Sequence, residues 1–350
     1  MKICLFCEHK YAVDILKPIQ VASDKEGGNY ILWFVDSRHI PDFPLKDEVK
    51  YTNSMQELYD FSPEATFCPG NIMPYYLPGV KIEIFHGYAA EKKDHWVIRR
   101  YFDTYFTQGP FFTKGFERLA KRYKDFEVLE TGWPRQDWIY ANLHTFDTEK
   151  AEYLKRYGKS KVVLYAPTFS PSLTSLPYMK ESMRKFAQEE DVVVLFKFHP
   201  LTAQKYIDEY KQLAEEVENI VWIDDFTVTK YMLMSDVMVS DTSSTIYEFL
   251  LLDKPVITLR AVAKEKYWRD MKSPDELSEA YHDVMTDDKY TDLRRWVIEN
   301  YDPHLDGKVG ERMLEGARDY ISRHGVPKYR KLNLWRVYTS IKTFGRVKRS

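Results

Sequence analysis

A strand, a hydroxyl-rich loop, a helix and a second strand are predicted in residues 234–259, MSDVMVSDTSSTIYEFLLLDKPVITL. The apolar run Val237–Val239 predicts the first strand, Ser240–Ser244 predicts the loop, and the helix is predicted to begin at Thr245. The unpaired N–H groups and positive dipole end of a helix start, with added hydroxyl groups, favour bound anions. The same residue types are typical of an ordinary helix N-cap, so this stretch alone supports both interpretations about equally.

The alternation of apolar strands and helical patterns continues along the chain and decides the fold class. The predicted strands are Lys2–Phe6, Tyr30–Val35, Ala65–Cys68, Lys81–Phe85, Thr104–Thr107, Lys161–Tyr165, Val192–Phe196, Asn219–Trp222, Val237–Val239 and Pro255–Leu259. Helical patterns lie between many of them, as in Pro110–Tyr123, Pro177–Glu190 and Leu201–Val217. Strands that alternate with helices predict an α/β protein with doubly wound parallel sheets.

The length of 350 residues suits two domains better than one core. A charged helical connector around Asp137–Tyr157 interrupts the alternation, and we place the domain boundary there. We therefore expect a Rossmann-like domain at 1–145, a second at 146–326 and a basic tail at 327–350. Two such domains that face each other would bind their ligands in the cleft, where parallel strands end.

Composition excludes several classes of protein. A net charge of −2 indicates no general affinity for nucleic acid. The three cysteines are too few for a disulfide framework, and Cys4 and Cys7 lie three apart on a predicted strand, on opposite faces, which favours core positions over metal ligation. Met1-Lys2 leads directly into that strand, and no apolar run is long enough to span a bilayer, so we expect a cytoplasmic protein.

The C-terminal tail has a different composition from the rest of the chain. Its basic residues are Lys328, Arg330, Lys331, Arg336, Lys342, Arg346, Lys348 and Arg349. Its interleaved apolar residues are Leu332, Leu334, Trp335, Val337, Tyr338, Ile341 and Phe344. A basic helix of this kind can lie on an anionic membrane surface at the inner face of the cell membrane. It can equally pack on the protein with a solvated basic face.

Two motifs in the first half place polar residues after predicted strands or turns. His86-Gly87 follows a strand directly, so that an imidazole lies beside a residue that lets backbone approach a ligand; Lys92 and Lys93 come shortly after. An isolated histidine of this kind is more often structural. In the turn TGWPRQD, Arg135 offers a planar cation suited to phosphate, or else a surface ion pair of little energetic consequence.

Three motifs in the second half have the same character. Thr168 follows the strand VVLYA and can contact a phosphate or simply end the strand. Lys197 and His199, in KFHP, are predicted to share one face at a strand end, where a core role is hard to justify. Lys308 and Arg312 place two cations beside a predicted helix start, which suits an anion as well as it suits a plain turn.

Taken together and in order, these motifs resemble the CDP-glycerol glycerophosphotransferase family, which includes the teichoic acid glycerol primases and polymerases. The resemblance rests on FHG, GWPRQD, LYAPTF, KFHP, SDVMVSDTSSTIYEF and DGKVGER, between about Lys81 and Arg312. It implies a GT-B architecture of two Rossmann-like domains. It also implies an activity, the transfer of glycerol phosphate from CDP-glycerol to an acceptor hydroxyl with release of CMP.

The resemblance also implies roles for individual residues. The two essential histidines of the family fall on His86 and His199. Its donor-phosphate hydroxyl cluster falls on Thr242, Ser243 and Ser244, and its turn arginine falls on Arg135. We expect His86 to act as the base on the acceptor side, with Gly87, Lys92 and Lys93 nearby. The expected donor ligands are Lys197, Thr242, Ser243, Ser244 and Thr168, with Arg135, Lys308 and Arg312 in second rank.

The predicted partners are a CDP-glycerol or CDP-ribitol donor and a lipid-linked or polymeric acceptor in cell-envelope synthesis. Neither an Asp-x-Asp motif nor a His/Cys cluster at ligand spacing occurs, so we expect no metal and no cofactor. Two alternatives stay open. A nucleotide-sugar glycosyltransferase or a UDP-sugar epimerase can share the architecture, because fold does not determine function. A non-catalytic scaffold of an envelope complex is the other alternative.

Overall fold

The computed structural model describes residues 1–88, 90–91, 93–225, 227–327 and 333–348. The chain divides into two compact units. The first unit comprises Met1–Ala141 and Tyr301–Ser350, and the second comprises Asn142–Asn300. Each unit contains one parallel sheet with helices, so the α/β class and the pair of doubly wound sheets predicted from the sequence are confirmed.

The sheet of the first unit has seven strands. They are β1 (Lys2–Cys7), β2 (Tyr30–Val35), β3 (Tyr51–Thr52), β4 (Ala65–Cys68), β5 (Val80–Glu83), β6 (Thr104–Thr107) and β7 (Glu127–Glu130). Their spatial order is β3-β2-β1-β4-β5-β6-β7, and all the pairings are parallel. The order reverses between β1 and β4, which is the position where sheets of this type bind ligands.

The sheet of the second unit has six parallel strands. They are β8 (Lys161–Tyr165), β9 (Val192–Phe196), β10 (Ile220–Trp222), β11 (Val237–Ser240), β12 (Val256–Leu259) and β13 (Arg269–Met271). Their order is β10-β9-β8-β11-β12-β13, so the reversal lies between β8 and β11. Every residue of β9, VVVLF, is buried, as expected for a central strand that is covered on both faces.

The helices cover the two sheets and connect the units. They are α1 (Ala12–Glu26), α2 (Met55–Phe61), α3 (Pro110–Tyr123), α4 (Arg135–Asn142), α5 (Asp147–Tyr157), α6 (Leu176–Glu189), α7 (Gln204–Glu216), α8 (Thr229–Met234), α9 (Thr245–Leu250), α10 (Leu277–Thr286), α11 (Thr291–Tyr301), α12 (Val309–His324) and α13 (Leu334–Phe344). Short 3₁₀ helices occur at Lys93–Trp96 and Pro274–Glu276. Among the described residues no helix has the length and apolar character needed to cross a membrane.

The domain limits differ from those expected at 146–326. The second unit begins at Asn142 and ends at Asn300, so residues 301–326 belong to the first unit. The physical reason is the packing of α12 on α1. A Cβ on Gly310 would lie only 2.8 Å from the backbone oxygen of Pro18, so glycine permits this close approach. The chain therefore returns to its first unit before α12.

The described part of the tail also belongs to the first unit. The hydroxyl of Ser340 on α13 accepts a hydrogen bond from the Tyr75 backbone N–H at 2.9 Å. The ring of Phe344 packs edge-on against Phe6, with centroids 5.6 Å apart. The sequence left open whether this helix packs on the protein or lies on a membrane, and one side of it is packed. The predicted basic residues Lys328, Arg330, Lys331 and Arg349 lie outside the described residues.

Candidate active site

The register of the second sheet brings three loops to one edge. Tyr165, the last residue of β8, pairs with Phe196 at the end of β9 on one side and with Val239 of β11 on the other. The residues that follow these strands therefore emerge side by side at the carboxyl edge. They are 166–168 after β8, 197–199 after β9 and 241–244 after β11. All the predicted donor residues of the second half except Lys308 and Arg312 lie in these three loops.

The buried carboxylate of Asp241 ties two of the loops together. Its oxygens accept hydrogen bonds from the backbone N–H groups of Thr168 at 2.9 Å, Ser175 at 2.7 Å and Thr242 at 2.6 Å. The hydroxyl of Ser175 adds a fourth bond at 2.9 Å. Burial raises the pKa of Asp241, although these donors oppose the rise. Asp241 thus holds the loop after β8 against the hydroxyl-rich loop after β11.

The hydroxyl-rich loop leads into α9, whose N-cap residue, Ser244, makes no side-chain cap hydrogen bond. Ser243 Oγ accepts from the backbone N–H of Thr245 at 3.4 Å and lies 2.8 Å from the Thr245 hydroxyl. Thr242 Oγ1 accepts from the Val262 N–H at 3.2 Å. The hydroxyl of Ser244 has no hydrogen-bond partner within the described part of the chain, so it can donate to a ligand oxygen.

A backbone hydrogen bond determines the tautomer of His199. Its Nδ1 accepts a hydrogen bond from the Leu201 N–H at 3.1 Å, so the proton of the neutral ring lies on Nε2. Phe169, from the neighbouring loop, stacks on this ring at a centroid distance of 4.3 Å. Burial lowers the pKa of His199, and the charge of Lys197 lowers it further. Near neutral pH the residue therefore presents an uncharged N–H donor.

Lys197 lies beside His199 but is more deeply placed. Its side chain is buried, and Nζ donates to the Phe198 carbonyl at 3.1 Å. Burial lowers the pKa of Lys197, and the nearby carboxylates of Asp225 and Asp224 partly offset this effect. The ammonium group has three N–H donors, so one hydrogen bond to the Phe198 carbonyl leaves two of them for other oxygens. The pair therefore offers a cation and a neutral donor at one strand end.

His86 in the first unit has the opposite tautomer. Its Nδ1 lies 3.0 Å from the carbonyl of Pro69, and a carbonyl oxygen can only accept, so Nδ1 carries the proton. The lone pair of the neutral ring is then on Nε2. The residue is exposed, and it follows β5 at the carboxyl edge of the sheet. His86 can therefore take a proton through Nε2, which His199 cannot do.

Both residues flanking His86 have unusual backbone angles. Phe85 has φ +60° and Gly87 has φ +142°, so the histidine sits on a sharp turn that a non-glycine residue rarely adopts. The turn is held on both sides by side chains. Trp133 Nε1 donates to the Phe85 carbonyl at 3.3 Å, and Gln108 Nε2 donates to the Gly87 carbonyl at 2.9 Å. These bonds fix the direction of the imidazole.

A second buried carboxylate supports this turn. Asp302 accepts from the Tyr88 hydroxyl at 2.6 Å and from the Trp133 backbone N–H at 2.9 Å. Burial raises the pKa of Asp302 to about 7, against the effect of these bonds. Gln136 Nε2 extends the network by donating to Tyr88 Oη at 3.0 Å. The predicted motifs around His86 and Arg135 are thus joined through one residue, Asp302, that the sequence did not single out.

The second-rank phosphate residues lie on the first unit. The N-terminus of α12 is already occupied by a carboxylate, since Asp137 accepts from the backbone N–H groups of Val309 at 2.8 Å and Gly310 at 2.7 Å. Arg312 donates to the Thr131 carbonyl at 2.8 Å and to Asp306 at 2.7 Å. These contacts hold Arg312 within the first unit, and its predicted contact with a phosphate stays a prediction. Lys308 is exposed.

Arg135 begins α4, and its guanidinium carbon lies 4.8 Å from the centre of the Trp133 ring. It therefore stacks on the residue that holds the His86 turn. Lys93, expected on the acceptor side, is exposed in a 3₁₀ helix, and Lys92 lies outside the described residues. No group of three or more His, Cys, Asp or Glu side chains suited to a metal ion occurs in the described ranges.

The model of the CDP-Glycerol:Poly(glycerophosphate) glycerophosphotransferase family matches residues 79–316, which is more than half of the chain. The chain belongs to this family. The matched segment of this glycerophosphotransferase family member includes both histidine turns and all three loops of the second unit. The family resemblance drawn from the motifs is confirmed.

Curated relatives transfer different alditol phosphates, according to their names. The chain is 28% identical over 232 residues to the teichoic acid ribitol-phosphate polymerase TarL of Staphylococcus aureus, covering 59% of this chain and 39% of TarL. It is 30% identical over 155 residues to the teichoic acid glycerol-phosphate primase of Bacillus spizizenii, covering 41% and 38% of the two chains. The matches thus span about two fifths of the length of these relatives.

The wall teichoic acid polymerase TagF has a similar fold. The TM-score is 0.67, over 92% of this chain and 89% of the TagF chain, at 16% sequence identity. Identity this low shows the fold alone, and it agrees with the GT-B-like class expected from the sequence. The family member described here therefore has a known fold.

Proposed function

We propose that the protein transfers an alditol phosphate, either glycerol phosphate or ribitol phosphate, from a CDP-alditol to an acceptor hydroxyl in the synthesis of a cell-envelope polymer. The observation that carries the proposal is that the hydrogen bonds of the two neutral imidazoles select opposite tautomers. His86 has a lone pair on Nε2, and His199 has a proton on Nε2. Phosphoryl transfer to an alcohol needs one group of each kind, a base for the hydroxyl and a donor for the leaving phosphate.

The reaction follows from these assignments. Nε2 of His86 takes the proton of the acceptor hydroxyl, and the hydroxyl oxygen forms a bond to the β-phosphorus of the donor. The bond between this phosphorus and the bridging oxygen breaks, and its electron pair leaves with CMP. His199 Nε2–H and the Lys197 ammonium stabilise the negative charge that develops on CMP. No group is oxidised or reduced.

The donor is held by the second unit in this proposal. Ser244 offers a hydroxyl that has no hydrogen-bond partner among the described residues, and Lys197 offers two further ammonium protons. These groups lie around the strand-order reversal between β8 and β11, where doubly wound sheets bind ligands. Thr168 and Thr242 are held beside them by Asp241. A diphosphate placed here meets cationic and neutral donors, which suits its charge.

The test is a donor screen with CDP-glycerol, CDP-ribitol and UDP-sugars that identifies the released nucleotide. We expect CMP from one or both CDP-alditols and no turnover of the UDP-sugars. His86→Ala and His199→Ala should each lower turnover by about 100-fold or more, because each removes a general acid–base or charge-stabilising group. His144→Ala, on the exposed surface of the second unit, is the matched control. Near-normal CMP release by both active-site variants would refute the assignment.

We further propose that the protein attaches peripherally to an anionic membrane surface through α13. The helix leaves three large side chains exposed, Leu334, Trp335 and Tyr338. Leu334, Tyr338 and Lys342 are spaced four apart and so share one face, while Arg346 and Lys348 follow. Aromatic and aliphatic groups beside cations favour the interface of an anionic bilayer.

Point substitutions test this better than truncation, because deleting the tail would also remove the contacts of Ser340 and Phe344 with the first unit. The double variant Trp335→Ser/Tyr338→Ser should bind phosphatidylglycerol vesicles at least several-fold more weakly in a sedimentation assay. It should retain turnover of a soluble acceptor. Vesicle binding equal to that of Tyr30→Ser, an exposed tyrosine on the same unit, would refute the attachment.

A further inference from the structure

Helix α3 carries an unbalanced charge on its exposed side. The helix and the position after it contain one acidic residue, Glu117, and five exposed basic residues, Lys114, Arg118, Lys121, Arg122 and Lys124. By contrast, α12 of the same unit has three arginines and three acidic residues, and the whole chain has a net charge of −2. The positive charge of α3 is therefore a local feature of the protein surface.

Four of these cations form a basic stripe on one face of α3. Lys114, Arg118 and Arg122 are spaced four apart, and Lys121 lies three residues after Arg118, so all four share one side of the helix. The buried aromatic residues of α3 lie on the opposite side. Because four residues of an α-helix rise about 6 Å, the charges of the basic stripe repeat at about that distance.

The basic stripe makes no ion pair with a carboxylate in the part of the chain that the structure describes. Arg118 Nε donates to the Lys114 carbonyl at 3.1 Å, which leaves the two terminal guanidinium nitrogens for other oxygens. Of the nearby carboxylates, Asp125 is paired with Arg100 at 3.3 Å, and Glu130 is bound by an imidazole at 3.1 Å. The basic stripe therefore keeps its charge for a partner.

Helix stability does not account for the basic stripe. The negative end of the helix dipole favours cations in the last turn, which explains Lys121 and Arg122. Lys114 is the fifth residue of α3 and Arg118 is the ninth, where the dipole has little effect. Like charges spaced four apart destabilise a helix, as in the pairs Lys114/Arg118 and Arg118/Arg122. A stripe that weakens its own helix is expected where the charge serves binding.

The basic stripe starts close to the His86 turn and leads away from it. α3 begins two residues after Gln108, whose side chain donates to a carbonyl of that turn at 2.9 Å. Trp96 packs on α3 at Gly115, where a Cβ would lie 2.2 Å from the indole ring, so the 3₁₀ helix with the exposed Lys93 lies beside α3. Because β6 and β7 are parallel, α3 between them runs back to the amino edge of the sheet.

We propose that the basic stripe is a docking surface for a preformed alditol phosphate polymer, which it holds through several phosphates while the end of the chain lies at His86. The proposal rests on the proposed transferase function and specifies its polymeric partner. Successive phosphates of a glycerol phosphate chain are separated by six covalent bonds, or about 7 Å when extended at about 1.2 Å per bond. This distance matches the repeat of about 6 Å along the basic stripe.

Other polyanions fit the basic stripe less well. Binding at a bilayer interface uses large apolar side chains beside cations, and α3 exposes none of them, in contrast to α13. Binding of single-stranded nucleic acid uses exposed aromatic rings on which the bases stack, and α3 exposes no such ring. A polymer of alditol phosphates has neither bases nor acyl chains. Its phosphates are the groups that a stripe of cations alone can bind.

The first experiment measures binding of a fluorescent glycerol phosphate octamer to the full chain by anisotropy, without a donor. Lys114→Gln/Arg118→Gln should raise the Kd about tenfold and make it less dependent on salt, because two charged contacts are lost. The variant should fold, since it removes like charges that destabilise α3. Arg318→Gln/Arg323→Gln is the matched control, which removes the same charge from exposed positions of α12 and should change the Kd less than about twofold. Equal Kd values for the two variants would overturn the inference.

The second experiment uses chain length to separate docking on the basic stripe from damage at the His86 turn. With the CDP-alditol that the donor screen identifies, Lys114→Gln/Arg118→Gln should raise the KM of the octamer about tenfold more than the KM of a dimer. The dimer is too short to span the stripe, which is about 12 Å long. Equal increases in the two KM values would contradict docking.

The partner is tested by competition. Unlabelled octamer should displace the fluorescent octamer, and phosphatidylglycerol vesicles and single-stranded DNA should do so far less effectively. Displacement by either of them as effective as displacement by the unlabelled octamer would refute the choice of partner. If no donor is turned over and the stripe variant alone loses octamer binding, the proposed function fails and the docking surface stands.

Discussion

The substitution Asp241→Asn tests how far one carboxylate organises the donor loops. Asp241 accepts four hydrogen bonds, and Oδ1 alone receives the N–H groups of Thr168 and Thr242. The asparagine oxygen can replace Oδ1 and keep both of these bonds. Its amide group then faces the Ser175 N–H, which Oδ2 accepts at 2.7 Å in the native protein. The asparagine NH2 group and the Ser175 N–H, both donors, therefore face each other. If the amide is flipped instead, its NH2 group faces the N–H groups of Thr168 and Thr242, and two hydrogen bonds are lost.

The size of the effect follows from this geometry. A hydrogen bond to a charged group contributes about 1.5–3 kcal/mol, and leaving a buried donor unsatisfied adds to the loss. We therefore expect Asp241→Asn to lower the free energy of unfolding of the second unit by about 2–4 kcal/mol. The KM for the CDP-alditol should rise in parallel, because the Ser175 backbone is no longer held against the loop that carries Ser244.

The assay is urea denaturation in which hydrogen exchange of peptides from β8 and β11 monitors unfolding. It reports the second unit separately from the first, so the two units need not unfold together. Asp208→Asn, an exposed carboxylate on α7 of the same unit, is the matched control and should change stability by less than about 0.5 kcal/mol. An Asp241→Asn variant as stable as this control would refute the proposed role of the carboxylate.

Three further predictions concern the histidines and their supports. Tyr88→Phe removes the hydroxyl that donates to Asp302 and should lower kcat more than it raises either KM; equal effects on kcat and KM would contradict a positioning role. Burial lowers the pKa of His95 from 6.5 to about 3, so its neutral ring stabilises the folded state fully above pH 6.5 and this contribution is lost as the pH falls. At pH 5 the loss should reach about 2 kcal/mol, and His95→Phe should abolish it; an unchanged difference in stability between pH 7 and pH 5 would contradict this. In ¹⁵N NMR, neutral His86 should be protonated on Nδ1 and His199 on Nε2; the reverse assignment would contradict the roles given to them.

The central strands could be predicted from the sequence because each is an apolar run buried on both faces. Val192–Phe196 and Thr104–Thr107 have the predicted bounds. The strands absent from the prediction are β3, β7 and β13, and all three lie at sheet edges. Their sequences YT, EVLE and RDM are short or charged, as edge strands commonly are. Their pairing depends on a neighbouring strand that the local sequence does not specify.

The loops of the candidate site could also be predicted, because parallel strands present their following residues at one edge. The partners within the loops could not. Asp241 accepts from Ser175, and Asp137 occupies the start of α12, through contacts between residues far apart in the chain. The contact between the rings of His9 and His39, whose centroids lie 4.4 Å apart, could not be predicted for the same reason, since neither residue belongs to a motif and they meet only in the folded sheet.

The identity of the nucleotide formed from a CDP-alditol in the presence of an acceptor tests the proposed transfer of alditol phosphate most directly. Attack on the β-phosphorus breaks the bond between the two phosphates. ³¹P NMR should therefore show CMP and a new phosphodiester in equal amounts, with both signals lost in His86→Ala. Formation of CDP would place the cleavage at the bond between the alditol and its phosphate. That result would contradict the proposed transfer of alditol phosphate.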